Sequence, residues 1–355
     1  MSQQPDSPFP HAHGFPRCRG LIRSCPEDFQ VEEVAGFDPD GAGEHQLLWV
    51  EKRDSNTDWV AGCLARHAGV SRVDVGYAGL KDRHALTRQW FSLHLNGRPE
   101  PDWSTLAEPG VRILQQARHG RKLRPGALKG NRFRLRVRQL EGDLQWLEDT
   151  LQAIAANGIP NYFGEQRFGG GDGNIESARR LFAGELKRVK RRQRGFYLSA
   201  ARSMLFNRVL AARVEAGNWN RPLSGERMML AGTRSSFLAE SVDDQLCQRL
   251  DEMDIHPSGP LWGRGEPMVG GEVAELERRV LEPERFWCLG LEQYGLKMER
   301  RALRMPATDL TWRIEGASLE LEFLLPRGCF ATALLRECLD YRQSDVAGPL
   351  RESST

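Results

Sequence analysis

The residues best suited to chemistry lie between 79 and 90, in the run GLKDRHALTRQW. Asp82 sits there between Lys81 and Arg83, two cations that would hold a carboxylate ionised. An ionised aspartate can act as a nucleophile. The same residue also has a plainer reading: with Gly79 before it and Ala85–Leu86 after it, Asp82 could be a helix N-cap or a turn residue. No metal-binding pattern accompanies it. The seven cysteines (Cys18, Cys25, Cys63, Cys247, Cys288, Cys329, Cys338) are dispersed, with no Cys-x-x-Cys pair and no cluster of zinc-ligand spacing.

Two strongly basic stretches come next. Residues 118–138 hold nine Lys or Arg and no Asp or Glu, and residues 187–194 (KRVKRRQR) hold six cations in eight positions. A single charge run usually marks a solvated face. Here the whole chain carries a net charge of only +2, so acids are kept out of these stretches while occurring freely elsewhere. Arg134, Arg136 and Arg138 would share one face of a strand, where like charges repel unless an anion lies between them. Aromatics interleave with the charges (Phe133, Tyr162, Phe163, Phe168, Phe196, Tyr197), as expected where bases stack and phosphates pair. These features point to a polyanion, and to nucleic acid in particular, without separating DNA from RNA.

The elements that must position these residues can be read in outline. Residues 133–138 (FRLRVR) alternate, as do 29–34 (FQVEEV), while 47–50 (LLWV) is an apolar run; all three read as strands. Asn56 and Thr57 could cap a helix through Trp59, Val60, Leu64 and Ala65. Leu144, Leu147, Leu151 and Ile154 form a helical stripe over 140–158 that breaks at Asn157–Gly158 and Pro160. From 160 to about 302 the pattern is mainly helical, with polar connections near 218–226 and 256–272. After Pro306, alternation returns at Leu319, Leu321, Phe323 and Leu325. Residues 1–16, with four prolines, read as a mobile arm, and 344–355 as a loose tail. The 355-residue length, 40% hydrophobic content, scattered cysteines and lack of a signal peptide or long apolar run predict a globular cytosolic protein outside the membrane.

GLKDRHALTRQW resembles the catalytic motif of the TruD family of tRNA pseudouridine synthases. Five further blocks resemble that family in its order: PEDFQVEE (26–33), RKLRPGALKGNRF (121–133), PNYFGEQRFG (160–169), LSAARSMLFN (198–207) and LPRGCFATALLRE (325–337). The resemblance implies an α/β (α+β) fold, in which a pseudouridine synthase core with a mixed, largely antiparallel sheet is interrupted by a family-specific α/β insertion. Mapped by motif, the core would be 17–156 plus 303–343 and the insertion 157–302.

The resemblance also implies roles. Asp82 would be the catalytic aspartate, Asn131 and Phe133 would contact the nucleotide, and Phe29 and Phe330 would complete the substrate pocket. Read without it, the three phenylalanines look like core and Asn131 like a turn residue. Arg23 falls where the family usually carries a lysine near the aspartate. His84 tempts as a general base, but the family does not rely on a histidine there, so it reads as structural or RNA-facing. Arg134, Arg136, Arg138, Lys187, Arg188, Lys190, Arg191 and Arg192 would hold tRNA. An isomerisation without redox change requires no cofactor or metal, and no obligate protein partner is evident. The competing readings are an inactive RNA-binding protein of the same fold and a nucleic-acid hydrolase. The intact Asp82 motif argues against the first, and the lack of a second acid or metal-binding carboxylate motif against the other.

Overall fold

The alternation at 133–138 belongs to a 15-residue strand that organises one of two compact units. The computed structural model describes residues 9–164, 167–169 and 173–343. The sheet unit comprises residues 17–147, 308–328 and the segment from 339; the second unit comprises the N-terminal segment to 16, then 148–307 and 329–338. Compared with the boundaries expected from the motifs, the second unit also takes most of the 144–157 helix, residues 303–307 and residues 329–338.

In the sheet unit, the strands are β1 (Cys18–Ile22), β2 (Phe29–Ala35), β3 (His45–Arg53), β4 (Val75–Tyr77), β5 (Leu86–His94), β6 (Val111–His119) and β7 (Leu128–Gly142), followed much later by β14 (Thr308–Glu315), β15 (Ser318–Pro326) and β16 (Asp340–Gln343). They form one ten-stranded sheet ordered β14–β15–β7–β2–β5–β3–β6, with β1 joining β7 and β16, and β4 joining β5. Pairing is antiparallel except for β2 with β5 and β1 with β16. The period-two pattern has the expected result on β7: Phe133, Leu135 and Val137 are buried and Arg134 and Arg136 exposed. Phe133 is in register with Phe323 of β15, and the two rings stack with centroids 5.4 Å apart. Helix α1 (Thr57–His67) lays Val60, Ala61, Leu64 and Ala65 against Leu48, Val50, Phe91 and Leu93. Burying each such Leu or Val is worth about 1.5–3 kcal/mol, so this face fixes α1 on the sheet.

The second unit holds all but the first turn of α2 (Leu144–Asn157). Leu147, Leu151 and Ile154 of its stripe are buried as their spacing implied, Leu144 is exposed at the helix start, and Gly158 ends the helix with φ +73°. Its other elements are β8 (Ile159–Pro160), α3 (Gly173–Phe182), α4 (Arg191–Glu215), β9 (Glu226–Leu230), β10 (Ser236–Ala239), α5 (Asp244–Asp251), β11 (Ile255–Leu261), α6 (Gly271–Leu281), α7 (Arg285–Gln293), β12 (Glu299–Ala302), β13 (Arg304–Met305) and α8 (Ala331–Cys338). The helical reading of 160–302 therefore needs correcting: a four-stranded sheet, β10–β9–β11–β12, runs among the helices. β11 was hidden by its composition. IHPSGPL carries two prolines and a glycine, which normally argue against a strand interior, yet residues 255–260 are all buried. At Gly259 a Cβ would come within 2.8 Å of Leu303 and 3.1 Å of Phe206, so only glycine lets the α4 ring pack this close to the strand. Among the described residues no helix is long and apolar enough to cross a membrane.

The N-terminal arm also departs from expectation. Residues 1–8 and the tail from 344 lie outside the described residues, but 9–13 are fastened within the second unit. Phe9 stacks on Tyr162 at 5.1 Å, Arg336 donates to Phe9 O at 2.7 Å, and Glu337 accepts from Ala12 N at 2.7 Å. Proline removes main-chain donors and so prevents a strand ladder, but side chains of α8 supply the partners instead.

His256 on β11 gives this unit a pH dependence. Its buried Nδ1 accepts from Arg304 Nε at 3.1 Å. Burial, assisted by the Arg304 cation, pushes its pKa down to about 3. An unfolded histidine titrates near about 6.5, so its contribution to stability is full above that pH and is lost as pH falls from there toward the folded value. His256→Gln is expected to narrow the drop in urea midpoint between about pH 7.5 and pH 5. An unchanged drop in denaturation curves at the two pH values would remove His256 as a source.

Candidate active site

Asp82 lies in the loop joining β4 to β5, and buried polar side chains of the sheet unit hold that loop. Gln89 of β5, 0% exposed, donates through Nε2 to Gly79 O at 2.9 Å. Thr57 donates to Gln89 Oε1 at 3.0 Å and accepts from Lys81 N at 3.0 Å. Asn56 stands at the N-cap position of α1 but makes no side-chain cap; Thr57, one residue on, ties the helix start to the loop instead. Lys52 of β3 donates to Asp82 O at 2.8 Å. The main chain on either side of the carboxylate is therefore held from below, while 32% of the Asp82 side chain stays accessible.

The cation beside Asp82 is neither of its sequence neighbours. Lys81 turns inward to Glu33, Nζ to Oε2 2.7 Å, with the two side chains 4% and 0% exposed. Arg83 is exposed. Arg23 instead reaches the carboxylate, its Nη2 3.5 Å from Asp82 Oδ1. It does so from a left-handed backbone, φ +58°, an uncommon conformation for a non-glycine residue. The guanidinium lies 4.0 Å above the Phe29 ring centroid. A planar guanidinium stacks on an aromatic face while keeping its edge for a carboxylate, a combination that a compact ammonium cannot match. His84 pairs with Asp54, Nδ1 to Oδ1 2.8 Å.

Phe29 and Phe133 pack edge to face at 6.2 Å, and both are core residues, 2% and 5% exposed. Asn131, two residues before Phe133 on the same face of β7, stands opposite Glu33 of β2 and Leu325 of β15. It is a strand residue rather than a turn residue. A Cβ at the preceding Gly130 would sit 2.4 Å from Leu325 O, so the close approach of β7 and β15 requires glycine there. Asn131 Oδ1 and Arg23 Nε are both buried without a hydrogen-bond partner. A buried polar atom left unpaired is costly, and two of them, on Asn131 and on the residue beside Asp82, suit a ligand that supplies the missing partners.

The strand arginines need a correction. They are not an unneutralised row, because β15 brings carboxylates between them. Arg134 donates to Glu322 and Arg136 to Glu320, each through Nε at 3.1 Å. Arg138 forms two 2.8 Å bonds with the buried Asp28. Burial acts to raise the Asp28 pKa, but Arg138 outweighs it and holds that carboxyl below its usual range. The charge pattern of β7 alone therefore no longer demands an external anion. The second cluster differs. Lys187, Arg188, Lys190, Arg191 and Arg192 are all exposed, and among the described residues no carboxylate lies within salt-bridge distance of them. They span the approach to α4 and its first turn. Phe330, immediately before α8, packs within the second unit against the cluster of Tyr162, Phe163 and Phe206. Of the PNYFGEQRFG motif, Glu165 and Gln166 lie outside the described residues. Among the described residues no three His, Cys, Asp or Glu side chains are grouped to hold a metal ion.

Sequence reasoning placed Thr57 only at the start of a helix and Gln89 only in the Asp82 motif, and it passed over Lys52 and Glu33. These last two left a trace. Glu33 continues the inward face of Phe29 and Val31, and Lys52 that of Leu48 and Val50. A charge that interrupts an apolar face is a buried charge and needs a partner.

Comparison with known proteins bears on this arrangement. Residues 10–174 and 174–338 match the family described as tRNA pseudouridine synthase D (TruD). The tRNA pseudouridine synthase D of Methylococcus capsulatus is 49% identical over 346 residues, covering 96% of this chain and 98% of that protein. Its counterpart in Nitrosococcus oceani is 51% identical over 325 residues, 91% of each chain. A crystal structure described as the putative tRNA pseudouridine synthase D of Methanosarcina mazei covers 92% of this chain with a TM-score of 0.70. At 21% identity that likeness speaks to the fold alone.

Proposed function

The chain belongs to the tRNA pseudouridine synthase D (TruD) family, and from that premise we propose that it isomerises uridine in tRNA to pseudouridine, at uridine 13 by the family resemblance, with Asp82 as the catalytic residue. The observation that carries the reading is the setting of Asp82: its main chain is tied down, Arg23 lies beside its carboxylate, and its side chain is still accessible.

The reaction breaks the bond from ribose C1′ to N1 of uracil and forms one from C1′ to C5. The C5 proton is lost and N1 gains a proton, so the product is an isomer. Positive character grows on the sugar as the C–N bond opens, and a carboxylate near C1′ stabilises it, as in glycoside cleavage. The nucleotide must leave its stack to reach Asp82. Asn131, with its unpaired Oδ1, fits a hydrogen bond to the flipped nucleotide. Phe29 holds Arg23 in place beside the carboxylate. Phe133 and Phe330 stay part of the proposal through the family's motifs, Phe133 as a wall rather than an open platform because it is buried. The exposed cations Lys187–Arg192 supply phosphate contacts.

The test is direct. Unmodified tRNA transcripts incubated with the purified chain should acquire pseudouridine at position 13, and tRNA from cells lacking the gene should have uridine there. A chain that binds tRNA yet leaves every uridine unchanged would be an RNA-binding protein of the same fold instead.

A further inference from the structure

Lys52 has no exposed surface, although it lies next to the loop that carries the candidate nucleophile. Burying an ammonium is costly unless its charge is compensated by partners. Among the described residues no carboxylate lies within salt-bridge distance of it, and its partners are two main-chain carbonyls from different segments. Nζ donates to Ser55 O at 2.6 Å and to Asp82 O at 2.8 Å. Ser55 lies in the turn leading into α1, and Asp82 in the loop before β5. The two carbonyls replace part of the hydration that the ammonium loses on burial, and in doing so they tie both segments to one side chain.

We propose that Lys52 is a positioning residue for Asp82, fixing the aspartate's own carbonyl so that its carboxylate is presented in one direction, and placing a buried positive charge behind it. The inference rests on the reading that Asp82 carries the reaction. Lys81, the obvious cation by sequence, is occupied by Glu33. Arg23 meets the side chain of Asp82, whereas Lys52 meets its backbone, so the two hold different parts of one residue. The register makes this possible: Lys52 pairs with Thr87, five residues after Asp82, and the β3–β5 ladder brings the ammonium under the loop. Burial pulls the Lys52 pKa down to about 8, and the Asp82 carboxylate acts against that fall, so the two charges sense each other. An ammonium with three rotatable donors can serve two carbonyls that face it from different directions, which a methionine or alanine cannot.

The experiment compares wild type, Lys52→Met and Lys52→Ala on tRNA transcripts, with turnover normalised to folded protein. Lys52→Met should lower kcat roughly tenfold, the scale of a slightly misplaced catalytic group, with KM and tRNA affinity unchanged within about twofold. Propylammonium added to Lys52→Ala should restore part of the missing kcat, and tetramethylammonium, which has no N–H, should not. Wild-type kcat in Lys52→Met would overturn the inference while leaving Asp82 its role. So would a loss that tracks tRNA affinity and that propylammonium does not relieve, since that marks a residue that only holds the fold. An inactive wild-type chain would overturn the functional reading itself, and this inference with it.

Discussion

Replacing Asp82 by Asn should lower pseudouridine formation by about 10⁴-fold or more, the scale on which enzymes lose turnover when a reacting group is removed, while leaving tRNA affinity within a few-fold. Asparagine keeps the shape of the side chain and the backbone carbonyl that Lys52 holds. It removes the negative charge that faces Arg23 and that would meet the developing cation at C1′. Affinity should survive because phosphate contacts rather than one carboxylate dominate RNA binding. Asp82→Ala should behave alike, which separates loss of charge from any effect of the amide. Single-turnover rates and equilibrium binding on the same transcript give the two quantities. Full turnover by the Asn variant would remove Asp82 as the catalytic residue.

Neutralising Lys187, Arg188, Lys190, Arg191 and Arg192 together should weaken tRNA binding by roughly 10²-fold at moderate salt and flatten its salt dependence. Every phosphate that goes without its cation should reduce the slope of log K against log salt by about 0.7–0.9. The effect should fall on KM more than on kcat, because the cluster lies outside the sheet unit that carries Asp82. Arg134→Gln with Arg136→Gln should change the slope much less, since Glu322 and Glu320 already neutralise these side chains. Titration of each variant at several salt concentrations would decide. Wild-type slope and affinity in the cluster variant would make 187–192 a solvated face and nothing more.

These cases show what could be read from the sequence and what could not. The period-two runs at 29–34 and 133–138 and the stripe through Leu147, Leu151 and Ile154 were legible because each is a local pattern with one burial solution. The loop of Asp82 was legible through its resemblance. Its support was not, because Lys81 looks like the aspartate's partner until β2 brings Glu33 beneath it. The Arg–Glu ladder was hidden for the same reason: Glu320 and Glu322 alternate in plain sight, but only the β7–β15 pairing sets them opposite Arg136 and Arg134. Local pattern shows which face is buried, and long-range register decides which charges meet. β11 failed on other grounds, since its Pro and Gly obscured a strand that tertiary packing requires.

That same β7–β15 register has a consequence for the chain as it leaves the ribosome. Arg134 and Glu322 are 188 residues apart, so at about 5–20 residues per second one edge of β7 waits roughly ten to forty seconds for its neighbour. During that interval a long strand with Phe133, Leu135 and Val137 on one face offers unpaired N–H and C=O groups to any passing strand, the situation that promotes aggregation. Alternating arginines along such an edge are an effective deterrent, because two copies cannot approach without bringing like charges together. Arg132, Arg134 and Arg136 thus guard a nascent edge first. Arg134 and Arg136 become ion-pair partners only when Glu322 and Glu320 are made, Arg132 pairing with Asp309 as well as Glu322, and the carboxylates of β15 admit the one strand that belongs there.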